Sequence, residues 1–211
     1  MKIKQFELKQ VLSITLVVMK VLVLSLMVYI LLLPFYPEII FRLKYNSEEH
    51  KAAAQVLSHV DTQLSNSNFY LPGSSDILDS DRLIITKIGV NVPIIGGNQE
   101  DYGLSRGAWL VPLGSTPDKG GNTVITGHRF KYLPPSNFTF YLLDKLALGD
   151  IIGVIFNKQK YYYRVQEIKI VDKNDATVYL PTASSSLTLY TCHPIYSTAQ
   201  RLVVISELVT E

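Results

Sequence analysis

Three polar side chains, each at one end of an apolar β segment, have the chemistry needed for acyl transfer. Cys192 ends the segment LTLYTC, His128 ends NTVITGH, and Arg201 opens RLVVISELV. A cysteine thiolate is a nucleophile, and a nearby imidazole can take the thiol proton or protonate a leaving amine. A fixed guanidinium can stabilise the oxyanion of the tetrahedral intermediate. The residue types therefore fit cysteine-dependent acyl transfer, although their spacing alone would suit any β-barrel.

Cys192 is the single cysteine of the 211-residue sequence. One thiol can form neither an internal disulfide nor a Cys-rich zinc site, so it is either a buried, inert side chain or a reactive one. His50 and His59 have no cysteine or carboxylate arrangement suited to a metal, and we interpret them as solvated helix residues. We therefore expect no metal and no cofactor, while a calcium requirement stays open.

Short β segments separated by turn residues must position these side chains. Lys158 and Gln159 would form a hairpin turn, and only residues 138–146 (FTFYLLDKL) look helical among the strands. Such a pattern is typical of a closed β-barrel rather than a parallel βαβ sheet. The predicted fold is therefore mainly β, a closed eight-stranded barrel with short helices and with Cys192 and Arg201 brought together by the last strand. The predicted strands cover 82–88, 91–95, 108–111, 122–127, 150–157, 160–171, 187–192 and 201–209.

The N-terminal part contains an apolar segment long enough to cross a membrane. As a helix, residues 11–33 would span about 35 Å, and the hydrocarbon core is about 30 Å thick. Lys20 near the middle costs about 3 kcal/mol on insertion scales, which the surrounding Leu, Val and Ile residues outweigh. A cleaved signal peptide fits less well, because the run is too long and no small-x-small site follows it. We expect a retained transmembrane helix.

The distribution of charge predicts the orientation of this helix and excludes one class of partner. Residues 1–33 contain four lysines and one acid, Glu7, which gives a net charge of +3. Since the whole sequence has a net charge of +2, the remaining residues have a net charge of −1. The basic residues at the N-terminus slightly favour a cytoplasmic start, which makes the chain a single-pass type II membrane protein with its catalytic part outside. No basic stripe of the kind that binds phosphate backbones remains, so we expect no nucleic-acid partner.

The segment after the apolar run predicts a helix and a linker. Ser47 is suited to cap a helix over 47–64, with Glu48 and Glu49 in its first turn and apolar residues at helical spacing behind them. Residues 65–76 (SNSNFYLPGSSD) then have the composition of a linker. The predicted organisation is a cytoplasmic N-terminus (1–10), a transmembrane helix (11–33), an extracytoplasmic helix and linker (34–78) and a catalytic domain (79–211).

Three strings resemble the sequence signatures of sortases, which are membrane-anchored cysteine transpeptidases of bacterial surfaces. TLYTC at 188–192 resembles the family's TLxTC signature, NTVITGHR at 122–129 the segment around its histidine, and QRLVV at 200–204 the strand that opens with its arginine. The resemblance implies that Cys192 is the nucleophile and His128 the general acid/base. It further implies that Arg201 positions the substrate and stabilises the oxyanion, while Thr191 supports the site or contacts substrate. The acid that would orient His128 is left unassigned among Asp118, Asp144 and Asp172.

The resemblance also implies a reaction and its partners. Sortases cleave a Thr–Gly bond in an LPxTG-like or LAxTG-like sorting signal, form a thioacyl enzyme, and pass the acyl group to an amine. The partners would be surface proteins carrying the signal, the amine of a peptidoglycan precursor or a pilin lysine, and the cytoplasmic membrane. TCHPIYSTAQRLVV at 191–204 resembles class E most, and class D stays open. Residues 46–80 contain no Asp-Pro-aromatic motif of the class C lid, so wall attachment is favoured over pilus assembly.

Other readings of the same residues remain as alternatives. A pilin-polymerising sortase is one, and a non-enzymatic, membrane-anchored β-domain with a buried Cys192 is another. A papain-like protease fits less well because there the cysteine precedes the histidine. An L,D-transpeptidase would need a Ser-His-Gly-Cys type of motif, whereas Tyr190 and Thr191 precede Cys192 here. Alternation along an extended chain directs His193 and Arg129 away from the site, so structural roles are expected for both.

Overall fold

The computed structural model describes residues 2–45, 80–131 and 138–209, which include three α-helices. The helices are α1 (Lys2–Leu32), α2 (Tyr36–Tyr45) and α3 (Glu100–Arg106). Short 3₁₀ helices lie at Leu33–Phe35, Thr86–Ile88, Leu143–Lys145 and Ala176–Tyr179. The helix predicted over 47–64, which contains His50 and His59, and the linker predicted over 65–76 lie outside the described residues.

Eight strands close into one barrel, in the order β1-β2-β3-β4-β7-β8-β6-β5. All neighbouring pairs are antiparallel except two, β2 with β3 and β4 with β7. The prediction of a mainly β, closed eight-stranded barrel with short helices is therefore confirmed. The strands are β1 (Arg82–Ile85), β2 (Val90–Ile95), β3 (Ala108–Leu110), β4 (Asn122–Thr126), β5 (Ile151–Phe156), β6 (Gln159–Asp172), β7 (Ser186–His193) and β8 (Gln200–Leu208).

Strands β4 and β7 are buried along almost their whole length because apolar side chains cover both of their faces. Inside the barrel, Ile125 and Leu189 belong to the main core cluster. On the outer face, Val124 and Tyr190 pack in a second cluster with Trp109. Strands buried on both faces are rich in apolar residues without strict alternation, as these two are. His128 and Cys192 follow at the ends of these buried runs, where the packing on both faces stops and the side chains become partly exposed.

Two local predictions are wrong: the position of the hairpin turn between β5 and β6, and the helix over 138–146. The β5–β6 hairpin turns at Asn157 and Lys158, both with positive φ (50° and 64°), one residue before the predicted turn. Two successive positive φ values match the right-handed twist of a two-residue hairpin, and asparagine accepts them readily. The helix predicted over 138–146 is only the 3₁₀ turn Leu143–Lys145. The amide of Phe140 instead donates to the carbonyl of His128 at 2.8 Å, which attaches this segment to the end of β4.

The first helices form a long apolar segment next to the barrel. Within the described residues, Gln10–Leu43 is the helical stretch long and apolar enough to cross a membrane, and it contains the predicted 11–33 span. Helix α2 follows the 3₁₀ turn at Leu33–Phe35, where Pro34 occupies one of the first helical positions. Phe41 of α2 packs against the main core of the barrel. Helix α2 thus lies against the barrel.

Candidate active site

Cys192 and Arg201 are direct partners on neighbouring antiparallel strands. The β7–β8 register pairs Cys192 with Arg201, and the β6–β8 register places Val171 opposite Arg201 on the other side. The loop between the two strands therefore folds the last strand back onto Cys192, as the sequence indicated. Cys192 is half-buried and unbridged. The thiol is therefore partly exposed at the rim of the barrel.

His128 reaches the same rim from a parallel strand. The β4–β7 ladder ends with Thr126 opposite Tyr190, and His128 and Cys192 each follow two residues later in their chains. Because the strands are parallel, both residues leave the sheet at the same end. The structure therefore brings the three predicted catalytic residues together at one rim, with Cys192 on the strand between those that carry His128 and Arg201.

Two buried threonine hydroxyls lock β4 to β7 directly beneath this rim. Thr126 Oγ1 donates to the Tyr190 carbonyl at 2.9 Å, and Thr191 Oγ1 donates to the Gly127 carbonyl at 2.7 Å. Thr191 is only 1% exposed, so its hydroxyl is committed to the protein. This geometry favours the supporting role of Thr191 over contact with substrate. The sequence did not single out Thr126, because its role depends on the strand pairing.

Gly127 allows the chain to pass close to the core immediately before His128. A Cβ at this position would lie 3.0 Å from the ring of Phe140, a side chain that is completely buried. The ring cannot withdraw without disturbing the barrel core, so a larger residue would displace the backbone that carries His128. The glycine thus fixes the position of the histidine through packing.

The surroundings of His128 favour its neutral form. Burial lowers the pKa of the imidazole below its ordinary value of 6.5, and the Lys131 cation lowers it further, whereas the Asp101 carboxylate of α3 offsets part of the change. A neutral imidazole can accept the thiol proton. Within the described residues, no carboxylate forms a hydrogen bond with His128. The acid that would orient it stays unassigned.

The three candidate acids have partners other than His128, and Asp144 pairs with an arginine. Its carboxylate forms an ion pair with Arg129 at 2.8 Å. Asp118 contacts Asn157 at the β5–β6 hairpin, away from the rim. Asp172 pairs with Gln200 across β6 and β8 and accepts a hydrogen bond from the amide of Asn174. Sequence reasoning missed the Arg129–Asp144 pair because the two residues belong to separate segments.

Arg129 is a buried cation next to the histidine. Its residue is 4% exposed, and its Nε and Nη1 atoms have no hydrogen-bond partner among the described residues. Burial lowers the pKa of the guanidinium, and the Asp144 carboxylate and Cys192 counteract the shift. The structural role expected for Arg129 thus includes an electrostatic connection to the site.

Loop carbonyls hold the guanidinium of Arg201 in place. Its Nη1 donates to the carbonyl of Thr198 in the β7–β8 connection at 3.1 Å and to that of Gln200, the first residue of β8, at 3.0 Å. A guanidinium has five N–H donors, so these two bonds leave others for a substrate oxygen. No group of three or more His, Cys, Asp or Glu in the described parts of the chain is arranged to hold a metal ion.

The barrel part of the chain is similar to known proteins of one family. The family described as Sortase domain matches residues 83–209. Sortase D of Bacillus subtilis (strain 168) is 28% identical over 132 residues, which are 61% of this chain and 63% of that protein. The chain thus spans less than two thirds of the length of this curated relative.

Solved structures of different sortase classes resemble the chain to a similar degree. Streptococcus pneumoniae sortase C is 32% identical with a TM-score of 0.55, covering 62% of this chain and 66% of that one. Sortase E1 from Streptomyces coelicolor, solved with a tripeptide in its active site, is 25% identical with a TM-score of 0.55, covering 62% and 88%. These matches do not distinguish a class, so the assignment to class E stays a prediction. The family match extends over more than half of the sequence and includes all three rim residues, and the chain therefore belongs to the sortase family.

Proposed function

We propose that the chain is a cysteine transpeptidase in which Cys192, His128 and Arg201 form the catalytic centre. The observation that carries this proposal is the register: Cys192 pairs with Arg201 across β7 and β8, and His128 leaves the parallel strand on the other side at the same rim. A nucleophile, a proton carrier and an oxyanion donor meet there in the order that the family signatures predict. The remaining steps follow from their chemistry.

In the first half-reaction, His128 accepts the thiol proton and the Cys192 sulfur attacks the carbonyl carbon of the scissile peptide bond. Arg201 donates hydrogen bonds to the oxyanion of the tetrahedral intermediate. The C–N bond then breaks, and the imidazolium of His128 protonates the leaving amine. The product is a thioester on Cys192 with a free amine released.

In the second half-reaction, an incoming amine attacks the thioester. His128 accepts the proton that this amine loses, the C–S bond breaks, and the thiolate of Cys192 is protonated again. The acyl group is now joined to the amine by a new peptide or isopeptide bond. Two substitutions at one carbonyl carbon therefore exchange one amine for another without net hydrolysis.

The substrates that suit this chemistry are a surface protein with an LPxTG-like or LAxTG-like signal and an amine of the cell-wall precursor. Cleavage would fall between the threonine and the glycine of the signal. The similarity of 191–204 to class E favours the LAxTG form and wall attachment. A pilin lysine is the alternative amine, and similarity to sortase C of Streptococcus pneumoniae supports keeping it.

The apolar N-terminal helix supports a membrane location. Gln10–Leu43 is long and apolar enough to cross a bilayer. Lys2, Lys4 and Lys9 precede the span, against Arg42 and Lys44 at its other end. We infer a single-pass type II topology, with the barrel outside the cytoplasmic membrane, where the proposed signal and amine are found.

Intact-mass spectrometry of the full chain in lipid nanodiscs tests the reaction. The protein is mixed with an LPxTG or an LAxTG peptide, with and without an oligoglycine amine or a lysine peptide. We expect an acyl adduct that is absent from Cys192→Ala, and release of a glycine-extended product when oligoglycine is added. Comparing the two peptides ranks the signals, and comparing the two amines separates wall attachment from pilin polymerisation.

His128→Ala is a second control in this experiment, because it keeps the thiol and removes the residue that carries the proton. We expect this variant to form no product on the timescale of the unmodified enzyme. If folded protein forms no adduct and Cys192 also resists alkylation, the non-enzymatic binding module is the correct reading. If Cys192 is alkylated but forms no adduct with either peptide, the proposed signals are wrong although the thiol is reactive.

A further inference from the structure

The catalytic rim contacts the end of the apolar helix through a row of aromatic side chains. The hydroxyl of Tyr141 donates to the carbonyl of Pro34 at 2.9 Å, where α1 passes into α2. The Tyr141 ring lies 6.0 Å from that of Phe130, which stacks edge-on against Tyr196 at 4.8 Å. Burial raises the pKa of Tyr141, and the neighbouring Tyr196 adds to the shift. Tyr196, in the β7–β8 loop between Cys192 and Arg201, therefore lies close to the end of the membrane segment.

A second connection between the rim and α2 consists of ion pairs. Lys145 Nζ lies 3.1 Å from Glu38 of α2 and 3.3 Å from Asp144. Asp144 in turn pairs with Arg129, next to His128. The Lys145 and Glu38 side chains are 27% and 24% exposed, so water screens this pair less than a fully exposed one. The segment that contacts α2 is thus the same one that supports the histidine.

The surface beside these contacts has the composition of a membrane interface. Tyr196 is 67% exposed and Phe138 is 44% exposed, although both are large aromatic side chains. At the end of the helix, Phe35 and Tyr36 are also exposed, and the Arg42 side chain, 74% exposed, forms an ion pair with Glu38 at 3.0 Å. Aromatic rings are enriched at the level of the lipid headgroups.

We propose that the catalytic rim is held against the lipid surface by α2, with Tyr196 and Phe138 at the level of the headgroups. The occupant of this exposed aromatic surface is the bilayer, because the surface continues directly from the end of the membrane segment through Tyr141 and Pro34. The proposal rests on the membrane topology given above. Its consequence is that the entrance to the site faces the membrane, so a substrate tethered to lipid reaches Cys192 without leaving the surface.

Site-specific fluorescence quenching in the full chain tests this arrangement. Cys192→Ala removes the single thiol, and one introduced cysteine then carries a small fluorescent label. The labelled positions are Tyr196→Cys and, separately, Phe138→Cys, in nanodiscs of phosphatidylcholine and phosphatidylglycerol brominated near the headgroups. Phe35→Cys at the helix end is the positive control. Leu180→Cys is the negative control, because Leu180 is 57% exposed and accepts a bond from Asn122 at the opposite end of β4.

We expect brominated lipid to quench the labels at 196 and 138 about as strongly as the label at 35, and to leave the label at 180 unaffected. Quenching at 196 and 138 no stronger than at 180 would overturn the proposal. Because two rim positions are labelled independently, misfolding of one variant leaves the other to decide. The Cys192→Ala background is inactive by design, so this result is independent of whether the enzyme transfers peptides.

Charge exchange tests the part played by α2. Lys145→Glu places like charges together opposite Glu38, and we expect quenching at 196 to fall toward the level at 180. Adding Glu38→Lys restores an opposite pair between positions 38 and 145, but the exchanged charges still face Arg42 and Asp144, so we expect the quenching to return in part. If Lys145→Glu leaves quenching at 196 unchanged, the ion pair does not hold the rim in place and the proposed mechanism of docking is wrong.

Discussion

Two sides of the catalytic rim are held by different kinds of interaction. On the β4–β7–β8 side, continuous strand ladders and buried threonine hydroxyls fix His128, Cys192 and Arg201. On the opposite side, the segment 138–146 is anchored in the core by Phe140 and Leu143, but its contacts with Arg129 and α2 are ion pairs, a ring contact and one hydrogen bond. Hydrogen-bonded ladders allow little movement, whereas partly exposed ion pairs are weaker and depend on salt.

This difference fits the role that we propose for each side. Acyl transfer requires the nucleophile, the proton carrier and the oxyanion donor to keep their distances within a fraction of an ångström. Orientation of a barrel on a surface tolerates larger movements. We therefore expect substitutions on the ladder side to reduce turnover most, and substitutions on the ion-pair side to reduce stability or orientation first.

Arg201→Ala should produce the largest effect among the partly active variants. Loss of one oxyanion donor costs about 10²–10³ in rate, and we expect a decrease in kcat of that size. Arg201→Lys keeps the charge but not the planar fork, and should recover only part of the activity. Steady-state transpeptidation by the full chain measures both variants. Near-normal turnover of Arg201→Ala would remove Arg201 from the catalytic centre.

Asp144→Ala breaks the ion-pair side and leaves the buried Arg129 cation without its carboxylate partner. Removal of one member of a buried pair costs about 3–5 kcal/mol, and the 34% exposure of Asp144 reduces this to about 2 kcal/mol. Denaturant unfolding measures the loss. Adding Arg129→Leu removes the orphaned charge and should recover much of the stability. If Asp144→Ala alone is as stable as the unmodified chain, the pair is not a structural support.

The same two sides differ in how well the sequence predicts them. The strands β4, β7 and β8 follow from their apolar runs, and the positions of His128, Cys192 and Arg201 at strand ends follow with them. The pairing of Arg129 with Asp144 was not predicted. Alternation along the strand indicates only that the Arg129 side chain points away from the site, and it does not identify the distant residue that pairs with it. Tertiary packing makes that choice.

The helical elements show the same limit. Helix α3 was missed because EDYGLSR has no apolar repeat and contains Gly103. Gly103 is required by its neighbour, since a Cβ there would overlap the ring of Trp109. The segment 138–146 has enough apolar residues for a helix, yet the bond from the Phe140 amide to the His128 carbonyl holds it in another shape. In both cases a contact made after folding overrides the local pattern.

Thr191→Val tests the hydroxyl on the ladder side with little change in volume. It leaves the Gly127 carbonyl without its donor, and the net loss for such a bond is about 1 kcal/mol. Thr191→Ser keeps the hydroxyl and is the matched control. We expect a lower midpoint of thermal unfolding and a modest decrease in kcat for Thr191→Val alone. Equal stability of the two variants would show that the strand ladder suffices without this bond.

The smallest expected effect is the dependence of stability on the protonation of His128. Burial holds the pKa of this residue below 6.5, its value in an unfolded chain. Between the folded value and 6.5 the unfolded state binds more protons, so stability falls as the pH drops below 6.5. His128→Gln lacks this term, and its unfolding midpoint should decrease less than that of the unmodified chain between pH 7.5 and pH 5.

Neighbouring charges sharpen this last prediction. The Lys131 cation lowers the pKa of His128 and the Asp101 carboxylate raises it. Lys131→Ala should therefore raise the imidazole pKa and Asp101→Asn should lower it, as measured by NMR titration of the histidine ring. Shifts in these two directions would show that Lys131 and Asp101, which lie outside the β4–β7–β8 ladder, help to set the pKa of His128. The ladder would then determine only the position of the histidine. If neither substitution moves the pKa, burial alone sets the protonation of His128, and the ladder side determines both where the histidine lies and when it is charged.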